Sequence, residues 1–204
     1  MKKEKVNYKD PHVIALLGIF SALVAVLQLI SYFIKIGQFP LTLVLIPVVL
    51  GAVLYGPDFG AILGAVFGAV TVIGCITGID LGGNALFSAS PILTIITCMA
   101  KATAAGYVPG LIATSLKKKH LHLAVILAAV SAPVVNTGLF IMAMFTFFKD
   151  TLFVWSGDNN VFFYALITLI GFNFLFEFLL NAILAPIVYR VVRVIEKRFN
   201  KRIF

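Results

Sequence analysis

TLVLIPVVLGAVLYGPDFGAILGAVFGAVTVIGCITG, residues 42–78, runs for 37 positions with a single charged residue, Asp58. A helix that crosses the hydrocarbon of a bilayer needs about 20 apolar residues, so the stretch is too long for one span. Gly56-Pro57-Asp58 interrupts it with three turn formers: a glycine free in φ, a proline with fixed φ and no donor, and an aspartate that can bond its own backbone. We read two helices, 42–56 and 59–78, joined by a tight hairpin. The alternative is one kinked span, which gives a five-helix count and puts the two termini on opposite sides of the membrane.

Working outward, further apolar runs lie at 13–34, 91–115, 123–148 and 162–189. The 204-residue chain is 61% hydrophobic and 12% charged, with a mean hydropathy of +1.08. A soluble surface needs about 25% charged residues, so the chain belongs in a bilayer. The expected fold is an all-α membrane protein: a six-transmembrane-helix bundle forming a single integral membrane domain over residues 1–204, with a basic cytoplasmic tail at 190–204. Six helices use nearly all of the length, which leaves no room for a soluble catalytic domain. The run that follows Met1-Lys2-Lys3-Glu4-Lys5 lacks a small-residue cleavage site and reads as a retained first helix. Cys75 and Cys98 lie inside apolar runs, where free cysteine behaves as a small hydrophobe.

The net charge of +8 does not point to nucleic acid, because the basic residues fall in the breaks between apolar runs. With six spans and a cytoplasmic N-terminus, 13 of the 16 basic residues lie inside: Lys2, Lys3, Lys5 and Lys9, then Lys117–Lys119, then six from Arg190 to Arg202. Lys35 and Lys149 fall outside, and Lys101 lies within the fourth run. The positive-inside bias therefore favours six spans with both ends cytoplasmic, in the cell membrane. Beyond Tyr189 the last helix continues as a basic amphipathic extension suited to an anionic lipid surface or to a partner.

Two runs carry stripes of small residues, the feature that lets helices approach closely in lipid. Ala15, Gly18, Ala22 and Ala25 share one face of the first helix, with Ser21 beside them. This face serves either a partner subunit or internal packing. Gly56, Gly60, Gly64 and Gly68, spaced by four, form a stripe on the third run that is expected to pack inside the bundle.

Charged side chains inside the hydrocarbon cost about 2.5–3.5 kcal/mol on insertion scales and raise a functional question. Lys101 lies about ten residues into the fourth helix, roughly 15 Å deep at 1.5 Å per residue. Glu177 lies in the sixth helix between Asn173 and Asn181, and Asn136 follows Pro133 in the fifth. Either Lys101 and Glu177 form an ion pair that holds the bundle, or the group forms a binding pocket. In a pocket, Lys101 would meet an anionic ligand group, and Asn136 and Asn173 would supply amides. The third connection, 79–91, is glycine-rich, contains Asn84, and suits a lid. Trp155 in the fifth connection is an interfacial anchor or a stacking surface, and Lys35 and Gln38 could close over the same mouth.

The sequence has no Gly-Lys-Ser/Thr phosphate loop, no metal-ligand constellation around His12, His120 and His122, and no nucleophile–base pairing. It does not read as an enzyme, and no cofactor or metal is expected on this chain.

The segment Phe39–Gly68, with Pro40, Pro47, Gly51, Gly56-Pro57, Gly60, Gly64 and Gly68 set in apolar sequence, resembles the S-components of energy-coupling factor (ECF) vitamin transporters. The six-helix length and basic tail agree, and the likeness is greatest to the pantothenate type. The shared Gly/Pro pattern recurs in S-components for several vitamins, so folate, pyridoxine and hydroxymethylpyrimidine remain open, as does an autonomous secondary transporter. The resemblance implies a subunit that captures a vitamin from outside with its last three helices and outer loops. It implies delivery by reorientation together with a transmembrane coupling protein (T component) and two ATPases that use ATP. Such proteins dock through an Ala-xxx-Ala pattern on the first helix; here Gly18-xxx-Ala22 and Ser21-xxx-Ala25 stand in its place, with small size preserved.

Overall fold

The structure, a computed structural model, describes residues 10–36, 39–116, 120–157, 160–165 and 171–199. Gln38, the N-terminal lysines Lys2, Lys3, Lys5 and Lys9, Lys117–Lys119, and the end of the basic tail lie outside them. The described chain is almost wholly helical. α1 (Pro11–Ser31) leads into a two-residue antiparallel ladder of β1 (Lys35–Ile36) with β2 (Phe39–Pro40), in which Ile36 pairs with Phe39. Then follow α2 (Leu45–Tyr55), α3 (Pro57–Thr77), α4 (Leu81–Ala89), α5 (Pro91–Leu116), α6 (Leu121–Phe147), α7 (Lys149–Ser156), α8 (Val161–Phe163) and α9 (Gly171–Phe199). α1, α2, α3, α5, α6 and α9 are the six helices of the expected bundle.

The break between α2 and α3 falls where the turn residues place it. Gly56 has φ +89°, a conformation that side chains with a Cβ rarely adopt, and Pro57 opens α3 at a position that needs no donor. The kinked single span is therefore excluded. The two helices are unequal, however. Five helices are long and apolar enough to cross a membrane, whereas α2 has 11 residues and is about 16 Å long, roughly half the hydrocarbon thickness. Hydropathy extended the second helix back to Thr42, but Leu41–Val44 is not helical.

Two connections expected as loops contain helices. Residues 81–89 form α4, capped by Asp80, whose carboxylate accepts the Gly83 amide at 3.0 Å. The glycines there provide close approach to α3: a Cβ on Gly83 would collide with the Cys75 sulfur. Residues 149–156 form α7. At the C-terminal end, the expected 162–189 helix covers α8, residues 166–170, which lie outside the described ones, and much of α9, which runs on through the basic extension.

The bundle is organised around an antiparallel seam between α3 and α5. A Cβ on Gly60 would strike the Gly106 carbonyl oxygen, one on Gly106 the Gly60 carbonyl oxygen, and one on Gly64 the Ala102 carbonyl oxygen. Gly68 faces Cys98 and Met99, and Gly110 faces Pro57, so the glycine stripe of α3 meets a second small-residue stripe, Cys98-Ala102-Gly106-Gly110. Around the seam lies a core that includes Val24, Val48, Phe59, Leu63, Phe67, Ala128 and Val188. A smaller cluster of Leu86, Met144, Phe148, Leu152 and Ala165 lies beneath α4 and α7.

α1 is the least covered long helix. Val24, Gln28 and Ser31 face inward, whereas Ala15, Gly18 and Ala22 are exposed and a Cβ on Gly18 would meet nothing within 4 Å. The small-residue stripes of α1 and α3 thus have opposite surroundings, which a stability measurement separates. Gly64→Ala should cost about 1–3 kcal/mol through backbone displacement, while Gly18→Ala should leave the melting temperature of the detergent-solubilised protein unchanged or slightly raised. Equal melting temperatures for the two variants would remove the seam from its central place.

Candidate binding site

Between the two apolar clusters lies a cavity that is partly open to its surroundings. α1 supplies Gln28, the unwound stretch Pro40 and Thr42, α3 Phe67 and Thr71, the start of α4 Asp80, and α5 Lys101. α6 contributes Asn136, Thr137 and Phe140, and α9 Asn173, Phe174 and Glu177. Four of the residues singled out from the sequence, Lys101, Asn136, Asn173 and Glu177, therefore converge on one space.

Their roles differ. Lys101 stands one residue from Ala102, so the seam fixes its helix. Its ammonium lies 5.1 Å from the centre of the Phe140 ring, a cation–π contact. Of the two readings, the Lys101–Glu177 ion pair does not form among the described residues. Glu177, buried at 4% exposure, instead accepts the backbone amide of Thr42 at 2.9 Å. Leu41 donates its amide to the Ile34 carbonyl at 2.9 Å, and Leu43 donates to the Ser31 hydroxyl oxygen at 3.3 Å. The stretch that hydropathy read as helix thus has its amides taken up by side chains and a loop carbonyl. Irregular backbone at membrane depth requires just such internal partners. Asn181 is buried one turn on and donates to the Glu177 carbonyl on its own helix, away from the cavity.

Two acceptors in the cavity have no partner: the side-chain oxygens of Gln28 and Asn136, in residues 3% and 4% exposed. A buried acceptor without a donor costs about 1–3 kcal/mol, which a ligand N–H or O–H would offset. Gln28 is the main residue missed in the sequence. Its signal was present, because Val24, Gln28 and Ser31 at offsets of four and three mark a second, inward face of the first helix. Asp80 was read only as part of a lid. Asn84 and Trp155 do not line the cavity. Asn84 donates its amide N–H to the Cys75 carbonyl at 2.8 Å, tying α4 to the end of α3, and Trp155 packs against the cluster beneath α7. No group of three or more metal-ligating side chains occurs among the described residues.

A family model for the ECF transporter substrate-specific component matches residues 12–189. The chain belongs to that family. It is a multi-pass membrane protein and a substrate-binding transporter subunit, and membership implies a small-molecule substrate together with a T component and ATPases as partners. No curated protein and no solved structure gave a significant match.

Within this S-component, Glu177 is separable from the rest of the site by its bond to Thr42. Glu177→Gln keeps an acceptor for the Thr42 amide, whereas Glu177→Ala removes it. The alanine variant should lose about 1–3 kcal/mol of stability and the glutamine variant much less, read as melting temperatures in one detergent. Equal losses would show that the bond to Thr42 is not what Glu177 supplies.

Proposed function

We propose that this subunit captures a water-soluble vitamin of the pantothenate type from outside the cell. It then delivers the vitamin inward by reorienting with its coupling partner. The observation that carries the reading is the cavity itself, where one ammonium and two unpartnered amide oxygens converge among aromatic walls. Pantothenate carries a carboxylate, for which Lys101 is the fitting partner, and hydroxyl groups that can donate to Gln28 and Asn136. Asn173 adds a further polar group to the same wall. Phe67, Phe140 and Phe174 supply the apolar surface that excludes water from these contacts. Glu177 acts on the wall: by holding Thr42 it sets the position of the segment that closes the cavity beside α1.

The exposed small face of α1 supports a docking role, since among the described residues nothing covers Gly18. Ala15, Gly18, Ala22 and Ala25 are proposed as the surface on which the T component seats. ATP is then used by two partner ATPases, this chain carries no cofactor, and both termini lie in the cytoplasm, as the distribution of basic residues favours.

Purified protein should bind pantothenate, and Lys101→Ala should weaken that binding by about 1.5–3 kcal/mol, or roughly 10- to 150-fold, as expected for a hydrogen bond to a charged group. Isothermal titration calorimetry checks it. Tight binding of pyridoxine, folate or hydroxymethylpyrimidine in place of pantothenate would move the assignment to that vitamin. Proteoliposomes holding this chain alone should take up nothing until the coupling module and ATP are added, and Ala22→Trp should abolish uptake while leaving binding intact. Uptake driven by a proton gradient alone would overturn the reading.

A further inference from the structure

A second, smaller compartment adjoins the first beneath α4. Thr71, Asp80, Lys101 and Phe140 line both, so these four residues form the neck between them. Beyond the neck the character changes. The remaining walls come from Cys75, Gly83, Leu86, Cys98 and Phe148, with the hydroxyls of Thr94 and Thr97, and among the described residues no charged side chain lines the space past Lys101 and Asp80. Thr71 and Thr94 each spend their hydroxyl proton on the backbone carbonyl four residues back, at 2.9 Å. Thr97 does not: its hydroxyl is buried, the residue is 7% exposed, and the oxygen has no partner.

The geometry points to a specificity-determining subsite that takes a compact, uncharged, mainly apolar group of the substrate, with the Thr97 hydroxyl as its polar anchor. The inference rests on the reading of the adjoining cavity as the substrate site. Three physical facts carry it. A charged group placed past the neck would lose its hydration without gaining a counter-ion. An apolar group there would gain contact with the Leu86 and Phe148 side chains and the two polarisable sulfurs. The unpartnered Thr97 hydroxyl can donate one hydrogen bond to a substrate group and accept from another. The substrate is thus divided at Lys101 into a polar part on the Gln28 and Asn136 side and a compact apolar part beneath α4. Pantothenate has one group of this description, its geminal dimethyl carbon.

Cys75 and Cys98 make the compartment readable without knowledge of the vitamin. Methyl methanethiosulfonate, small and neutral, should modify them at least tenfold faster than its sulfonatoethyl and trimethylammonioethyl analogues, followed by peptide mass spectrometry on the intact protein in detergent. Thr97→Met, which fills the space, should slow the neutral reagent tenfold or more, and so should saturating pantothenate. Thr97→Val keeps the volume and loses the hydroxyl, and should weaken pantothenate by about 3- to 10-fold, the range for one net hydrogen bond. No modification by the neutral reagent, or equal rates for all three reagents, overturns the subsite. Pantothenate binding that depends on Lys101 but neither protects the cysteines nor responds to Thr97→Val overturns it too, and leaves the proposed function standing. The expected reagent pattern without pantothenate binding keeps the compartment and removes the vitamin.

Discussion

The seam between α3 and α5 is the constraint on which the rest of the bundle depends. In lipid there is little hydrophobic gain from bringing two helices together, so their approach rests on packing and on the absence of side chains at the contact. Glycine at 60, 64, 68, 106 and 110 removes them from both partners, and the backbones touch at successive turns. Helices held this closely cannot slide or rotate without carbonyl oxygens colliding. Lys101, beside Ala102 on the seam, therefore projects from a fixed point. Placing an unneutralised ammonium at membrane depth is costly, and a rigid seam keeps that charge turned to the cavity.

A second constraint follows from α2. An 11-residue helix preceded by unwound chain leaves amides at depth that its own helix cannot satisfy. Glu177 and Ser31 accept two of them and the Ile34 carbonyl a third. The wall of the cavity and the bonding of the broken chain are thus one structure. Pro40 and Thr42 line the cavity because the backbone there is not helical, and it can be non-helical because α9 and α1 provide acceptors.

The sequence revealed the bundle well and the site in part. The break at Gly56-Pro57 was legible because φ, not context, dictates it. The internal role of the α3 stripe was legible as well. Its partner, Cys98-Ala102-Gly106-Gly110, has the same spacing and could have been read the same way. The start of α2 was not legible, since hydropathy scores an extended apolar stretch and a helical one alike. α4 was hidden because Gly82 and Gly83 read as loop formers, whereas the value of Gly83 lies in its close approach to Cys75 on α3, which only the folded chain provides. Opposite charges at 101 and 177 suggested each other, but the unpaired Thr42 amide competes for the same carboxylate and prevails. Gln28 was overlooked because the small residues on the other face of its helix drew the reading outward.

α1 presents its uncovered face and its inward face on one continuous rod. Gly18 and Gln28 are ten residues apart, about 15 Å along the axis. A body that grips the outer face of this helix therefore holds the same rigid element that carries Gln28 into the cavity. A tilt of α1 of even a few degrees would shift that amide oxygen against Asn136 on α6. The helix is in this sense a lever, with its handle in the lipid and its tip among the polar groups.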